Sequence, residues 1–92
     1  MAETQVSLTW KKTTNEQFLQ ILEQIPALIR GIAEIRVSRK AEALVREQNR
    51  SVIAEKDMVD AFFSETPPGF IPAIKQSMED LKIDYVKYGH GK

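Results

Sequence analysis

Gln24–Gln48, QIPALIRGIAEIRVSRKAEALVREQ, decides how the rest of this chain is read. Pro26 suits the first position of a helix, where its missing N–H and fixed φ cost little. No strong break follows for 22 residues. At ~1.5 Å per residue, a helix from Pro26 to Gln48 spans roughly 33 Å. Ile29, Ala33, Val37, Ala41, Leu44 and Val45 recur at helical spacing and form one apolar stripe. Leu28, Ile32 and Ile35 widen that stripe at its N-terminal end, which implies packing against two neighbours there. Gly31 weakens a helix by ~1 kcal/mol relative to Ala, so close approach of another helix is the expected compensation. Asn49 is a plausible stop, because Asn tolerates the left-handed conformation past a helix end.

The flanks supply shorter elements. Thr13 with Glu16, and Thr14 with Gln17, form two overlapping capping boxes. Phe18, Leu19, Ile21, Leu22 and Ile25 then continue a helical stripe, and Pro26 ends that first helix near Gln24. After the long helix, Ser51-Val52-Ile53 is too short for more than one or two ladder pairs. Glu55–Phe63 reads as a third helix without a good cap, since Ala54 stands where Ser, Thr, Asp or Asn is preferred. Thr66-Pro67-Pro68-Gly69 is a break. A fourth helix is expected from Phe70 to Leu81, with Pro72 tolerated in its first turn.

The two ends look extended. Val6, Leu8 and Trp10 alternate with polar residues. Ile83–Tyr88 is rich in β-branched and aromatic residues. Pairing these ends is expected to bury Trp10 against the fourth helix. The expected fold is therefore all-α, a single compact bundle of about four helices over residues 1–92, with a short terminal two-stranded pairing.

Composition removes several classes of function. The 92 residues carry 13 basic and 13 acidic side chains, for a net charge of zero. That balance argues against a general nucleic-acid binder but leaves room for a local basic face. Residues 27–53 hold six basic and three acidic side chains, so their charge is +3. With no cysteine, disulfides, iron–sulfur ligation and thiol chemistry are absent. No apolar run approaches the ~18–20 residues that span a bilayer. MAETQVSLTW lacks the basic and apolar regions of a signal peptide, so a cytoplasmic location is the default.

No catalytic constellation emerges. His90 is the only histidine, lies between two glycines, and has no metal-ligand spacing. Glu79-Asp80 and the Asp57/Asp60 pair read as solvated or dipole-favoured charge. Tyr85 and Tyr88 read as core. No phosphate-binding, dinucleotide or nucleophile-elbow motif is present. An enzyme is not expected, and no cofactor or metal is implied.

One polar feature rises above background. Arg36, Arg39, Lys40, Arg46 and Arg50 extend over about four turns, at steps that bring them together on a helix. They are a candidate face for an anionic partner. Glu42 and Glu47 lie among them, so a salt-bridged, solvated face is the simpler reading. Aromatic interleaving of the single-strand-binding kind is missing. The helix–short strand–helix order over residues 27–63 also resembles the histone fold.

Trp10, Ile25-Pro26, Ile29-Arg30-Gly31, Ala33, Ala41-Glu42, Arg46-Glu47-Gln48, Ile53 and Ala61 together resemble a family pattern. It is similar to the small C-terminal domain of the light-independent protochlorophyllide reductase B subunit. Trp10, Ile25, Pro26, Arg30 and Gly31 carry the most specific part. The resemblance covers residues 8–62, with 66–88 an extension lacking a counterpart. It implies a helical fold and a docking or ligand-covering role. The family's catalytic body and its cluster-ligating cysteine are missing, its Thr before the third helix is Ala54, and Glu34 and Ile35 replace basic residues.

The resulting expectation is a non-enzymatic interaction module that docks to a protein partner or covers an apolar, pigment-like ligand. The alternative is a nucleic-acid-associated protein using the basic face. The residues specify neither the partner nor an oligomeric state.

Overall fold

A computed structural model describes residues 8–91. The element order is β1 (Thr9–Trp10), α1 (Lys12–Glu23), α2 (Ala27–Glu47), β2 (Val52–Ile53), α3 (Glu55–Glu65) and α4 (Ile71–Asp80). Two 3₁₀ turns, Pro68–Phe70 and Tyr85–Tyr88, complete it. The fold is an all-α bundle with one short parallel strand pair.

The core forms where the helical stripes converge. Phe18, Ile21 and Leu22 of α1 meet Val37, Ala41 and Val45 of α2, and Met58, Val59 and Phe62 of α3. Ile74 and Met78 close the core from α4, and Ile83 and Tyr85 from the segment after it. The extension beyond residue 65 therefore completes the same core.

Pro26 sits one residue ahead of α2, and Asn49 adopts φ 57°, the left-handed stop expected of it. Arg30 explains how the α1–α2 corner holds its angle. Its Nε donates to the Leu22 carbonyl at 2.8 Å, and its Nη2 donates to the Glu23 and Ile25 carbonyls at 3.2 and 3.0 Å. These carbonyls, at the end of α1 and in the corner, include groups that a helix terminus leaves unsatisfied. An Arg placed one turn into the next helix satisfies several at once.

Four expectations are corrected. The strand partner of Trp10 is β2, not residues 83–88. Thr9 faces Val52 and Trp10 faces Ile53, and Lys11 N–H donates to the Ile53 carbonyl at 2.9 Å. Two residues a side are enough because the α1, α2 and α3 core holds both chains in place, whereas Tyr85–Tyr88 coils into a 3₁₀ turn. Val6 lies outside the described residues. Second, Trp10 stacks on Phe18, with ring centroids 4.7 Å apart, rather than on α4. Third, neither capping box at Thr13 or Thr14 forms; α1 starts at Lys12, and Thr14 is buried. Fourth, a Cβ on Gly31 meets nothing within 4 Å, so no helix approaches it.

The start of α3 shows what replaces the missing cap. Ala54 has the extended conformation of a cap residue, but its methyl accepts nothing. Asp57 reaches back instead and accepts the Ala54 N–H at 2.8 Å. It also binds Arg50 through both oxygens. Asp57 is thus buried and structural, not part of a solvated acidic turn.

Candidate docking face

Helix α2 divides into two halves with opposite surroundings. Its C-terminal half buries Val37, Ala41 and Val45. Its N-terminal half projects past the core. Leu28 is 92% exposed, Ile32 58% and Ile35 53%. These three follow spacings of four and three, which place them on one outward line. The second neighbour expected there is absent among the described residues. The broad stripe has two sides, and the fold uses only one.

Beside that line lies an open groove of about 220 Å³. Ile29, Ile32, Ala33 and Val37 line it from α2, and Pro67 and Phe70 from the turn before α4. Arg36 and Glu65 add one charge of each sign. Phe70 is 54% exposed and Ile29 37%. The sequence predicts a fourth helix that begins at Phe70. The Pro67-Pro68-Gly69 run holds it in a 3₁₀ turn instead, and there it faces the groove.

The five basic positions do not form one continuous face. Arg50 lies past α2 and is held by Asp57, whose hydrogen bond raises the guanidinium pKa further above its ordinary value. Arg46 pairs with Glu42 at 3.9 Å. Arg36, Arg39 and Lys40 make no hydrogen bond or ion pair among the described residues. They continue the line of Leu28, Ile32 and Ile35 toward the middle of α2. The free cations therefore border the apolar patch rather than standing apart from it.

The family-pattern positions have structural tasks in this chain. Trp10 carries the strand pairing and the stack on Phe18. Ile25 is half-buried at the corner, Pro26 immediately precedes α2, and Arg30 ties the corner together. Gly31 alone has no task inside the fold.

The C-terminal segment is docked on α3. The His90 ring stacks on Phe63 with centroids 4.3 Å apart, and its Nε2 lies 2.7 Å from Asp60 Oδ1. Tyr88 donates to Glu55 at 2.6 Å, and Glu55 also accepts from Gln17 of α1 at 3.1 Å. Burial, then the bond to Glu55, pushes the Tyr88 hydroxyl up to about 12. The glycines flanking His90 concealed this packing in the sequence.

Among the described residues no group of three or more His, Cys, Asp or Glu converges as a metal set. No helix among them is long and apolar enough to cross a membrane. Comparison with known proteins finds no matching family model, curated protein or solved structure.

Proposed function

We propose that this chain is a non-enzymatic interaction module that works in the cytoplasm and docks through the N-terminal half of α2. One observation carries the reading. Leu28, Ile29, Ile32, Ile35 and Phe70 leave close to three full side chains' worth of apolar surface in water. At ~150–200 Å² per large side chain, that is on the order of 500 Å² in one patch. That matches the largest apolar patch a typical monomer exposes, roughly 300–600 Å², and such patches are often functional.

Groove size favours a protein partner over an enclosed ligand. Pockets that engulf small molecules hold roughly 300–1,000 Å³ and bury most of the ligand. This groove holds about 220 Å³ and is open along one side. An apolar, pigment-like molecule would be covered on one face only. The resemblance to the small reductase domain supports the same docking role and implies no reductase activity. Nucleic-acid association rests on Arg36, Arg39 and Lys40 alone, and the apolar patch beside them suits a protein surface better than a phosphate backbone.

The test compares two immobilised baits, the wild type and Leu28→Ser/Ile32→Ser. Both positions are exposed, so the double variant should keep its far-UV circular dichroism. At least one binder, other copies of the chain included, should be captured by the wild type and lost from the variant. Identical captured sets would overturn the reading.

A further inference from the structure

We infer that the occupant of this face is a second copy of the chain, with two α2 helices crossing antiparallel about a two-fold axis at Ile32. The inference rests on the docking reading above and adds the identity of the partner.

Three observations support it. The first is area. A standard interface buries ~800 Å² per partner. Homodimer interfaces are ~65% apolar, which makes ~520 Å² of that area apolar. The exposed patch supplies on the order of 500 Å², so one copy carries what each side of a stable dimer needs. The second is shape. The patch holds both a projection and a recess: Leu28 stands 92% exposed one turn before Ile32, and the groove reaches Arg36 and Val37 one turn after it. A two-fold axis at Ile32 sets Leu28 of each copy against the Arg36 end of the other's groove, ~6 Å from the axis along the helix. Projection meets recess twice, as an isologous contact requires. The third is Gly31. It lies between Leu28 and Ile35 on α2, and a Cβ there would meet nothing within 4 Å among the described residues. A missing side chain there lowers the helix surface and lets a second helix approach.

Charge selects the direction. Parallel helices would set Arg36 and Arg39 against the same residues of the other copy, and like charges placed together are costly. Antiparallel crossing carries Arg39 and Lys40 to the other copy's α1–α2 corner. The exposed Glu23 carboxylate stands there at the negative end of α1. Arg30 at that corner is already spent on three carbonyls.

The chain contains no cysteine, which makes the test direct. Ile32→Cys should form one disulfide-linked dimer on mild oxidation, because the axis places residue 32 against itself. Ser64→Cys, exposed on α3, should not. Sedimentation equilibrium up to about 100 µM should show a dimer whose Kd rises roughly 100-fold or more in Ile32→Glu. Leu28→Ser should weaken it too, and circular dichroism checks that both variants fold. A monomer throughout that range would overturn self-pairing, and the bait comparison would then decide the docking reading separately. A dimer indifferent to Ile32→Glu, or one in which Ile32→Cys cross-links no better than Ser64→Cys, would also overturn it.

Discussion

Removing the buried Asp57 carboxylate should destabilise the domain well beyond an ordinary surface change. The side chain is only 4% exposed and serves three donors: the Ala54 N–H and two nitrogens of Arg50. In Asp57→Ala the first turn of α3 loses its reciprocal cap, which costs ~0.5–2 kcal/mol. The charge-assisted bonds add ~1–2 kcal/mol, less than for a fully buried pair because Arg50 can turn into water. The expected total is ~1.5–4 kcal/mol. A domain of this size shifts by ~4–8 °C per kcal/mol, so Tm should fall by at least ~6 °C. Asp57→Asn should cost less, since its amide oxygen still accepts the Ala54 N–H. Arg50→Gln should also destabilise, because it leaves a buried carboxylate without its counter-ion.

Ala54→Thr should move the other way. It adds the hydroxyl that completes the capping box and should stabilise by ~0.5–2 kcal/mol. In Asp57→Ala/Ala54→Thr the threonine should recover only part of the loss, because a hydroxyl cannot replace the contact with Arg50. Urea unfolding with a common m-value measures all five variants. A cost below ~0.5 kcal/mol for Asp57→Ala, within the range of ordinary surface changes, would refute this account of the start of α3.

Other outcomes follow from particular contacts. Gly31→Ala, measured at low concentration, should stabilise the isolated fold by ~0.5–1 kcal/mol, since its Cβ meets nothing and only propensity changes; a loss in thermal melts would reveal an intramolecular contact. Arg30→Met keeps the aliphatic stem but drops the bonds to Leu22, Glu23 and Ile25, and should cost ~1–2 kcal/mol in denaturant melts. Tyr88 has a folded-state pKa of about 12 against an ordinary value near 10. The folded state therefore holds that proton longer, and stability should decline as pH rises from about 10 to about 12, the loss being complete above the folded value. Tyr88→Phe should flatten that decline, and an unchanged slope would exclude Tyr88 as its source.

Much of the bundle was legible because helices announce themselves by period. The 3.6-residue spacing of Phe18, Ile21 and Leu22, and of Val37, Ala41 and Val45, is enough to find α1 and α2 and the side each buries. Pro26 and Asn49 mark boundaries by covalent geometry, which no tertiary contact overrides. The strand pair was harder. Trp10 and Ile53 lie far apart in sequence, and two-residue strands carry no alternation of their own. Extended-looking Ile83–Tyr88 was therefore the nearer match by composition. In the fold, Tyr85 and Tyr88 meet carboxylates of Glu79 and Glu55, and the 3₁₀ turn sets them there. Asp57 was misread for a related reason: an acid in the first turn of a helix is ordinarily solvated, and only the arrival of Arg50 makes its burial tolerable.

The N-terminal half of α2 shows where pattern reading stops. Leu28, Ile32 and Ile35 announce an apolar face with the same signal as Val37, Ala41 and Val45. Periodicity says that a face avoids water; it does not say whether the covering atoms belong to the same chain. Two local features do bear on that choice. Gly31 costs helix stability, and nothing in its own fold repays the cost, so a reason internal to the domain is missing. Arg36, Arg39 and Lys40 continue the apolar line as cations unpaired among the described residues, whereas Arg46 on the packed half and Arg50 just past α2 have found acids. A helix that was apolar and glycine-interrupted only for its own core would be covered by α4 or by the chain after it. Those elements pack instead against α1 and α3, and Phe70, in the 3₁₀ turn before α4, lines the groove without closing it. The face is therefore left open by every described element that could reach it. That combination fits a surface kept for another molecule better than an imperfectly packed core.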